Sequence, residues 1–472
     1  MSVGVSVVDV LARSAGRPER VALVGDGRAW SYAELDAAVD ARADAIRGAG
    51  AAEGVAAVAA EPDATTVIEL LALWRLGVVP APLNTRLTPA ERSAARATLA
   101  GVALPPTTQV VLWTSGTSGR PRGVALSFEN LAAVTAGSAE RLGLGADDVW
   151  LASLSPGHVG GLVLIVRSIL LGGPLVAPGA LGAEAMAELL RGTRPNDAGM
   201  SASAAPGPTP SHLSLVPTQL HRLLDGWAGV APPAAVRCVL VGGAHAPTTL
   251  VERAVAAGWP IALTYGATEM SSQIATAPPA LVRELRGSVG PAMPGVELRI
   301  AASGEIECRG PTLALGYVGG APTAAGNTGG REPKGGAAAR VSPADRDGWY
   351  RTGDVGRLDE AGRLWVTGRR IDRIVSGGVT IDAMEVEEAL RAHPSVVDAC
   401  VVGVPDPEWG ERVAACVVPV EGEFDAAEVT AHLRGLLMAA KVPRAWRLAE
   451  ALRLNANGKV DRAAVRASLS GA

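Results

Sequence analysis

The chain has 472 residues, of which 48% are hydrophobic and 19% charged, and its formal net charge is −4. This composition is typical of a globular protein with two or more domains, and the nearly balanced charge argues against a nucleic-acid-binding protein. We find no C-x-x-C pair, no signal peptide and no apolar stretch long enough to span a membrane, and therefore expect a cytoplasmic protein without a disulfide framework or a zinc site.

Strands and helices are predicted to alternate along much of the chain. The predicted elements are a strand at 110–113, a helix at 129–142, a strand at 213–216, a helix at 217–227, a strand at 236–241, a helix at 248–257 and a strand at 261–265. Continuous apolar strands that alternate with helices indicate an α/β fold whose parallel-rich sheets are covered by helices. Because ligands of such sheets bind beyond the carboxyl ends of the strands, the loops after Trp113, Val241 and Tyr265 are candidate site loops.

The pattern changes after Gly368. The elements predicted there are a helix at 384–392, strands at 399–404 and 413–418, and a helix at 426–437. They indicate a small α+β domain. We place the boundary near Arg370, which divides the chain into domains 1–370 and 371–472.

A loop of small and hydroxyl-bearing residues follows the strand at 110–113. It consists of Thr114, Ser115, Gly116, Thr117, Ser118 and Gly119, followed by Arg120, Pro121 and Arg122. Backbone N–H and side-chain O–H groups of such a loop can surround phosphate oxygens, and an arginine adds fixed positive charge. The loop lacks the G-K-[ST] ending of a Walker-type P-loop. On composition alone, an ordinary surface loop is an equally good interpretation.

This loop resembles T-S-G-[ST]-T-G-x-P-K-G, the signature of the adenylate-forming superfamily, which includes acyl-CoA synthetases, peptide-synthetase adenylation domains and luciferases. Ser118 stands where Thr is usual, and Arg122 where Lys is usual. Further motifs follow in the order of that superfamily: Gly242-Gly243-Ala244, Tyr265-Gly266-Ala267-Thr268-Glu269, Tyr350-Arg351-Thr352-Gly353-Asp354, Gly368-Arg369-Arg370-Ile371-Asp372, Ser376-Gly377-Gly378 and Asn455-Ala456-Asn457-Gly458-Lys459. Each motif is weak alone, but their common order is a strong indication.

The resemblance implies a role for each part of the chain. Domain 1–370 would bind ATP and the acyl substrate, and domain 371–472 would be mobile and carry the catalytic Lys459. Thr117 and Glu269 would bind Mg²⁺, and Arg122 would bind the phosphates. After a domain rotation, Gly377 and Gly378 would face CoA. The implied ATP- and AMP-binding residues are Thr114, Ser115, Gly116, Ser118, Gly119, Gly243, Ala244, Tyr265, Gly266, Thr268, Asp354 and Arg369.

Two further segments concern the acyl substrate. The stretch 154–162 resembles the L-P-x-x-H-x-x-G-L segment that lines the acyl pocket of the superfamily. Together with the S-S-Q-I sequence that follows Glu269, it looks most like the o-succinylbenzoate-CoA ligases of menaquinone synthesis. The second carboxylate and the keto group of such a substrate need donors, and the candidates are His158, Arg167, Ser271, Ser272 and Gln273. A packed wall histidine and a helix-surface arginine are the alternatives for the first two.

The resemblance therefore implies an AMP-forming acid–CoA ligase that uses ATP, Mg²⁺ and CoA. It would make an acyl-adenylate and pyrophosphate, and then a thioester. The alternatives are a ligase for another aryl or acyl acid, a ligase that loads a carrier protein, and a nucleotide-binding protein without activity. The expected partners are small molecules, with no nucleic acid and no membrane, and a homodimer is left open.

Overall fold

The computed structural model describes residues 11, 16–50, 54–100, 102–114, 122–192, 207–227, 230–318, 342–376, 378–421, 423–455 and 458–470. The strands in these ranges are β1 Val21–Gly25, β2 Arg28–Ser31, β3 Val55–Ala60, β4 Val79–Asn84, β5 Thr108–Thr114, β6 Arg122–Ser127, β7 Trp150–Leu151, β8 Leu175–Val176, β9 His212–Leu215, β10 Cys238–Val241, β11 Ile261–Ala267, β12 Ser272–Ala277, β13 Gly290–Pro291, β14 Glu297–Ile300, β15 Glu305–Arg309, β16 Gly316–Val318, β17 Tyr350–Leu358, β18 Arg363–Arg369, β19 Arg373–Ser376, β20 Val379–Asp382, β21 Val396–Asp406, β22 Gly410–Pro419 and β23 Ala445–Leu448.

The helices in the same ranges are α1 Tyr32–Gly48, α2 Ala64–Arg75, α3 Pro89–Leu99, α4 Phe128–Leu142, α5 Val159–Leu171, α6 Ala183–Arg191, α7 Pro217–Gly226, α8 Thr248–Ala256, α9 Pro279–Glu284, α10 Ala383–Arg391, α11 Ala426–Leu436 and α12 Arg462–Leu469. Short 3-10 turns occur at Thr268–Met270, Arg370–Asp372 and Ala439–Lys441. Within the described part of the chain, no helix combines the length and the apolar character needed to cross a membrane.

The largest sheet has a parallel centre. Its described strands lie in the order β12-β11-β10-β9-β7-β8-β1-β2, and all pairs from β11 to β1 are parallel. The edge strands β12 and β2 are antiparallel to their neighbours. Strands β9 and β10 are buried along their whole length, as expected for parallel strands with both faces covered. The predicted α/β fold with a helix-covered, parallel-rich sheet is confirmed.

The strand predicted at 110–113 lies outside the sheet with the parallel centre. Strand β5 belongs to a separate three-stranded antiparallel sheet, in which β6 lies between β16 and β5. The expected passage from β5 through a loop directly into a helix was wrong, because β6 returns along β5 before Ser127 caps helix α4. The partner strand β16 is almost 200 residues away in sequence, so the short apolar run of β6 carried no local sign of pairing.

Two further sheets lie on either side of the predicted domain boundary. Before the boundary, five strands form an antiparallel sheet in the order β13-β18-β17-β15-β14. After it, strands β19 to β23 form a second sheet, and helix α10 packs on its strand β21. Ile374, Val386 and Leu390 belong to the hydrophobic core of this second unit. The predicted small α+β domain is confirmed. The turn Arg370–Asp372 connects the two sheets, and the predicted boundary at Arg370 falls in it.

Candidate active site

Asp354 on strand β17 is held from two sides. The Tyr265 hydroxyl donates a hydrogen bond to its Oδ2 atom at 2.7 Å. Arg369 Nε lies 3.1 Å from its Oδ1 atom. Burial raises the pKa of Asp354, while Arg369, the Tyr265 hydroxyl and Lys459 act in the opposite direction. The carboxylate is therefore fixed in orientation at the carboxyl end of β11, where the sequence predicts a ligand.

Glu269 lies in the 3-10 turn that follows β11. A Cβ atom at Gly266 would collide with the Ser272 carbonyl oxygen, so only glycine allows β11 and β12 to approach this closely. Ser271 completes the reversal with a φ of 55°. The backbone N–H of Ala314 donates to the Glu269 carbonyl oxygen at 2.8 Å. The turn that carries Glu269 is thus held by the close approach of β11 to β12 and by the hydrogen bond from Ala314.

The Glu269 carboxylate fits a magnesium ion that is bound together with ATP. The described residues contain no group of three His, Cys, Asp or Glu side chains that would hold a metal by itself. Mg²⁺ typically uses one or two carboxylates and completes its shell with phosphate oxygens and water. The Tyr317 hydroxyl donates to Glu269 Oε1 at 2.9 Å. The other oxygen, Oε2, is not used by this hydrogen bond.

Lys459, near the carboxyl end of the sequence, lies where Asp354 and Glu269 influence its charge. Its loop is closed by a bridge between Leu454 and Val460 and by the Asn455 side chain, whose Oδ1 accepts from Lys459 N at 3.1 Å. Burial, together with nearby Arg369, lowers the pKa of Lys459 to about 8, although the carboxylates of Asp354 and Glu269 act in the opposite direction. Lys459 is therefore close enough to Arg369 and to the two predicted carboxylates for their charges to change its pKa.

Thr114 and Arg122 mark the two ends of the predicted phosphate loop. They face each other at the ends of β5 and β6, and the guanidinium carbon of Arg122 lies 5.5 Å from the centre of the Tyr317 ring. Ser115, Gly116, Thr117, Ser118 and Gly119 lie outside the described residues. Their roles toward phosphate and Mg²⁺ stay predictions.

The small residues predicted near adenine and CoA lie in exposed turns. Gly243 and Ala244 follow β10 and are exposed, and Gly243 has a φ of 77°. Gly378 is also exposed, with a φ of 81°, and an added Cβ there would meet nothing within 4 Å. Gly377 lies outside the described residues. Thr268 opens the turn that carries Glu269. The ligand contacts predicted for these residues stay predictions.

Arg167 is an interior side chain of helix α5, so the alternative of a helix-surface arginine was wrong. Only 1% of Arg167 is exposed. Its Nη2 atom donates to Gln273 Oε1 at 3.0 Å, and its guanidinium carbon lies 4.7 Å from the centre of the Trp150 ring. Burial lowers the pKa of Arg167 to about 10. Its Nε and Nη1 atoms have no hydrogen-bond partner within the described part of the chain.

Two of the other predicted donors are also buried and bound by the protein. Gln273 accepts from Ser138 as well as from Arg167, and its Nε2 donates to Thr276. Ser271 donates to the Thr312 carbonyl oxygen at 2.8 Å.

His158 and Ser272 are the partly exposed members of the predicted donor set. His158 precedes helix α5, and its Nε2 atom lies 3.3 Å from Asn84 Nδ2. The five predicted donors thus divide into an interior group around Gln273 and two residues at the surface of the fold.

No sequence motif pointed to Tyr317. It lies on β16 and contacts both Glu269 and Arg122. The available signal was the rarity of tyrosine: the chain has only four, so each was a candidate for a specific role. The pairing of β16 with β6, which brings Tyr317 to the phosphate loop, has no local signature.

Comparison with known proteins gives this arrangement a family. Residues 11–104 and 102–318 match the model of the AMP-binding enzymes, and residues 385–459 match that of the AMP-binding enzyme C-terminal domain. The chain belongs to the AMP-binding enzyme family. Within the family it is similar to the 2-succinylbenzoate–CoA ligase of Listeria monocytogenes serotype 4b (strain F2365), with 31% identity over 94% of this chain and 96% of that protein.

Two solved structures from Bacillus subtilis show the same fold. The o-succinylbenzoate CoA synthetase in complex with the acyl-adenylate intermediate OSB-AMP has a TM-score of 0.81, 27% identity and 97% coverage of both chains. The same synthetase with ATP and a magnesium ion has a TM-score of 0.80, 27% identity and 98% coverage of both chains. The predicted superfamily and the predicted class of AMP-forming ligase are confirmed.

Proposed function

We propose that the protein is an ATP-dependent acid–CoA ligase that activates o-succinylbenzoate as an acyl-adenylate and transfers the acyl group to CoA, in menaquinone biosynthesis. The observation that carries the proposal is that Lys459 is buried where the carboxylates of Glu269 and Asp354 act on its charge. A lysine from the carboxyl-terminal loop and the carboxylates of two other motifs form one charged site, as adenylation requires. The similarity to a 2-succinylbenzoate–CoA ligase over 94% of the chain supports the choice of acid.

The first half-reaction joins a carboxylate oxygen to the α-phosphorus of ATP while the bond to pyrophosphate breaks. Both reactants are anions, so positive charge has to be in place before attack. Lys459 offers a compact ammonium group that can lie between the carboxylate and the α-phosphate. Arg122 adds positive charge at the phosphate loop. Glu269 and Thr117 would hold Mg²⁺, which screens the phosphates when bound.

Asp354 and the turn after β10 would position the nucleoside. The Asp354 carboxylate is already oriented by Tyr265 and Arg369, so it can accept hydrogen bonds from ribose hydroxyls without further ordering. The exposed turn at Gly243 and Ala244 leaves the backbone open to a flat base. Nucleotide binding would thus use groups whose geometry is set before ATP arrives.

The second half-reaction needs Lys459 to leave and a thiol to approach. The CoA sulfur bonds to the acyl carbon, the bond from that carbon to the AMP phosphate oxygen breaks, and the thiol proton passes to solvent. We propose that domains 1–370 and 371–472 rotate about the turn Arg370–Asp372, which withdraws Lys459 and presents Gly377 and Gly378 to CoA.

Arg167 supports a substrate with a second carboxylate. It is a buried cation with two unpaired donor atoms within the described part of the chain, and paired guanidinium donors suit a carboxylate. We expect Arg167→Met to raise the KM for o-succinylbenzoate by about 10- to 100-fold, the range for a lost hydrogen bond to a charged group. The KM for benzoate should stay unchanged. An equal rise for both acids would show that Arg167 supports the fold and not the selectivity.

The function itself is tested with a panel of acids. Purified protein with ATP, Mg²⁺ and CoA should release pyrophosphate fastest with o-succinylbenzoate, and mass spectrometry should find its CoA thioester. A thioester from a fatty or benzoic acid but none from o-succinylbenzoate would refute the choice of acid. Product on a carrier protein but none on CoA would refute the choice of acceptor. No pyrophosphate with any acid would refute the ligase.

The proposal also keeps the cytoplasmic location and the purely small-molecule partners predicted from the sequence. A homodimer would double the mass found by light scattering.

A further inference from the structure

Tyr317 lies between Arg122, at the end of the phosphate loop, and the turn that carries Glu269. Its strand β16 pairs with β6, with Tyr317 opposite Val124. Just before the strand, Leu315 N donates to the Ala125 carbonyl oxygen at 2.9 Å, and Ala314 N donates to the Glu269 carbonyl oxygen at 2.8 Å. The backbone on which Tyr317 stands is therefore fixed to both neighbouring segments.

The hydroxyl of Tyr317 sets the orientation of the Glu269 carboxylate. It donates to Oε1 at 2.9 Å. The last torsion of a glutamate side chain is broad, so an unsupported carboxylate samples many orientations. The hydrogen bond to Oε1 restricts the rotation of the carboxylate and thereby fixes the direction of Oε2. Hydrogen-bonding partners of this kind orient metal-binding carboxylates in other proteins and raise metal affinity.

The ring of Tyr317 sets the place of Arg122. The guanidinium carbon lies 5.5 Å from the ring centre, within the range of a cation–π contact. Tyr317 is only partly buried, so one part of the ring is available to the cation. The flexible side chain of Arg122 is thereby held against the Tyr317 ring at the start of β6 instead of sampling solvent.

We propose that Tyr317 is a positioning residue that fixes the metal-binding carboxylate and the phosphate-binding guanidinium relative to each other. This inference rests on the proposed use of ATP with Mg²⁺. Its two contacts serve different parts of the ligand: the hydroxyl serves the metal through Glu269, and the ring serves the phosphates through Arg122. The two contacts can therefore be removed separately.

The test uses the full-length protein without acid or CoA. Binding of Mn²⁺, which replaces Mg²⁺ as an EPR-active probe, is titrated in the presence of ATP, and ATP binding without metal is measured by calorimetry in EDTA. Tyr317→Phe removes only the hydroxyl, and Tyr317→Leu removes the ring as well. Tyr32→Phe is the matched control, because Tyr32 is a buried tyrosine of helix α1 in the main hydrophobic core. Melting temperatures are measured for all variants.

We expect Tyr317→Phe to weaken Mn²⁺ binding about 10-fold, as for other lost supports of a metal ligand, and to leave metal-free ATP binding unchanged. Tyr317→Leu should weaken both. Mn²⁺ binding by Tyr317→Phe equal to that of Tyr32→Phe would overturn the inference, whether or not Tyr317→Leu folds. Because no acid is present, a wrong choice of acid substrate would leave these results unaffected.

Discussion

Lysine is so rare in this chain that both described lysines can be assigned a place. Only Lys334, Lys441 and Lys459 occur, and Lys334 lies outside the described residues. Lys441 makes an ion pair with Glu385 at 2.6 Å within the carboxyl-terminal domain. Lys459 is the lysine that approaches Asp354 and Glu269. The phosphate loop has Arg122 where the signature that it resembles has lysine, so the retained Lys459 indicates that the site needs a compact ammonium group.

Lys459→Ala should abolish the first half-reaction and spare the second. Removal of one charge-stabilising donor from an active site typically lowers kcat by about 100- to 1,000-fold. We expect at least this loss in pyrophosphate release, while supplied acyl-adenylate still reacts with CoA at an unchanged rate. Lys441→Ala, which removes the other described lysine, is the control and should retain both rates. Equal loss of both half-reactions in Lys459→Ala would contradict the assigned role.

The lowered pKa of Lys459 predicts how adenylation depends on pH. A lysine is charged below its pKa, and the value in the free enzyme is about 8. Since kcat/KM reports the free enzyme, kcat/KM for ATP should fall as the pH rises through about 8. Arg369 is one cause of the lowering, so in Arg369→Gln the alkaline fall should move to higher pH. An alkaline fall at the same pH in both proteins would assign it to another group.

At the scale of elements, the turn between β11 and β12 shows how backbone geometry positions Glu269, the predicted metal-binding side chain. Gly266 faces the Ser272 carbonyl oxygen without room for a methyl group. Ser272 itself has a φ of 111°. This close approach directs the chain into the 3-10 turn that carries Glu269. A change in the turn should therefore affect stability and activity together.

Gly266→Ala should destabilise the protein by about 1–3 kcal/mol, the usual effect of forcing an extra carbon into a packed region. It should also slow adenylation, because the Glu269 turn has to move. Gly48→Ala is the matched control: Gly48 is the last residue of helix α1, and nothing lies within 4 Å of an added Cβ. Calorimetric melting and pyrophosphate release measure the two effects. A Gly266→Ala protein as stable and active as Gly48→Ala would refute this explanation.

Most elements could be predicted because their signals are local. The helix predicted at 129–142 is observed at Phe128–Leu142, where Ser127 forms a capping box with Asn130. The helix predicted from Pro217 begins there. Strands β6 and β16 were missed, because their stability comes from pairing between distant segments and not from the residues themselves.

The candidate site could be predicted only as a set of motifs. Spacing along the chain does not show that Lys459 reaches Asp354 and Glu269, which the fold brings about. The burial of Arg167 depends on Trp150 and Gln273, both distant in sequence. Tyr317 was missed for the same reason. Contacts of this kind depend on tertiary packing and cannot be predicted from a local sequence pattern.

At the scale of the whole molecule, the carboxyl-terminal unit carries Lys459 as part of one connected body. Arg462, at the start of helix α12, lies 2.6 Å from Glu387 of helix α10 and 3.3 Å from Asp372 of the connecting turn. Glu387 is buried, and removal of one partner of a buried ion pair is strongly destabilising. Lys459, helix α10 and Asp372 at the end of the turn are therefore expected to move together in the proposed rotation.

Two polar contacts of Glu388 hold this body against domain 1–370. His245, next to the predicted adenine turn, lies 2.6 Å from Glu388 Oε1 on helix α10, and Thr248 N donates to Glu388 Oε2 at 3.3 Å. Under the proposed function, adenylation needs an orientation that keeps Lys459 near Asp354 and Glu269, as here. Weaker contacts should shift the equilibrium away from it.

Glu388→Ala should therefore slow adenylation and leave thioester formation from supplied acyl-adenylate unchanged or faster. Partly exposed ion pairs contribute about 0.2–1 kcal/mol, so we expect a loss of about two- to fivefold in pyrophosphate release. Glu385→Ala is the matched control, because Glu385 lies on the same helix but pairs with Lys441 inside its own domain. If both variants slow adenylation equally, or Glu388→Ala slows both half-reactions, the contact has no part in domain orientation.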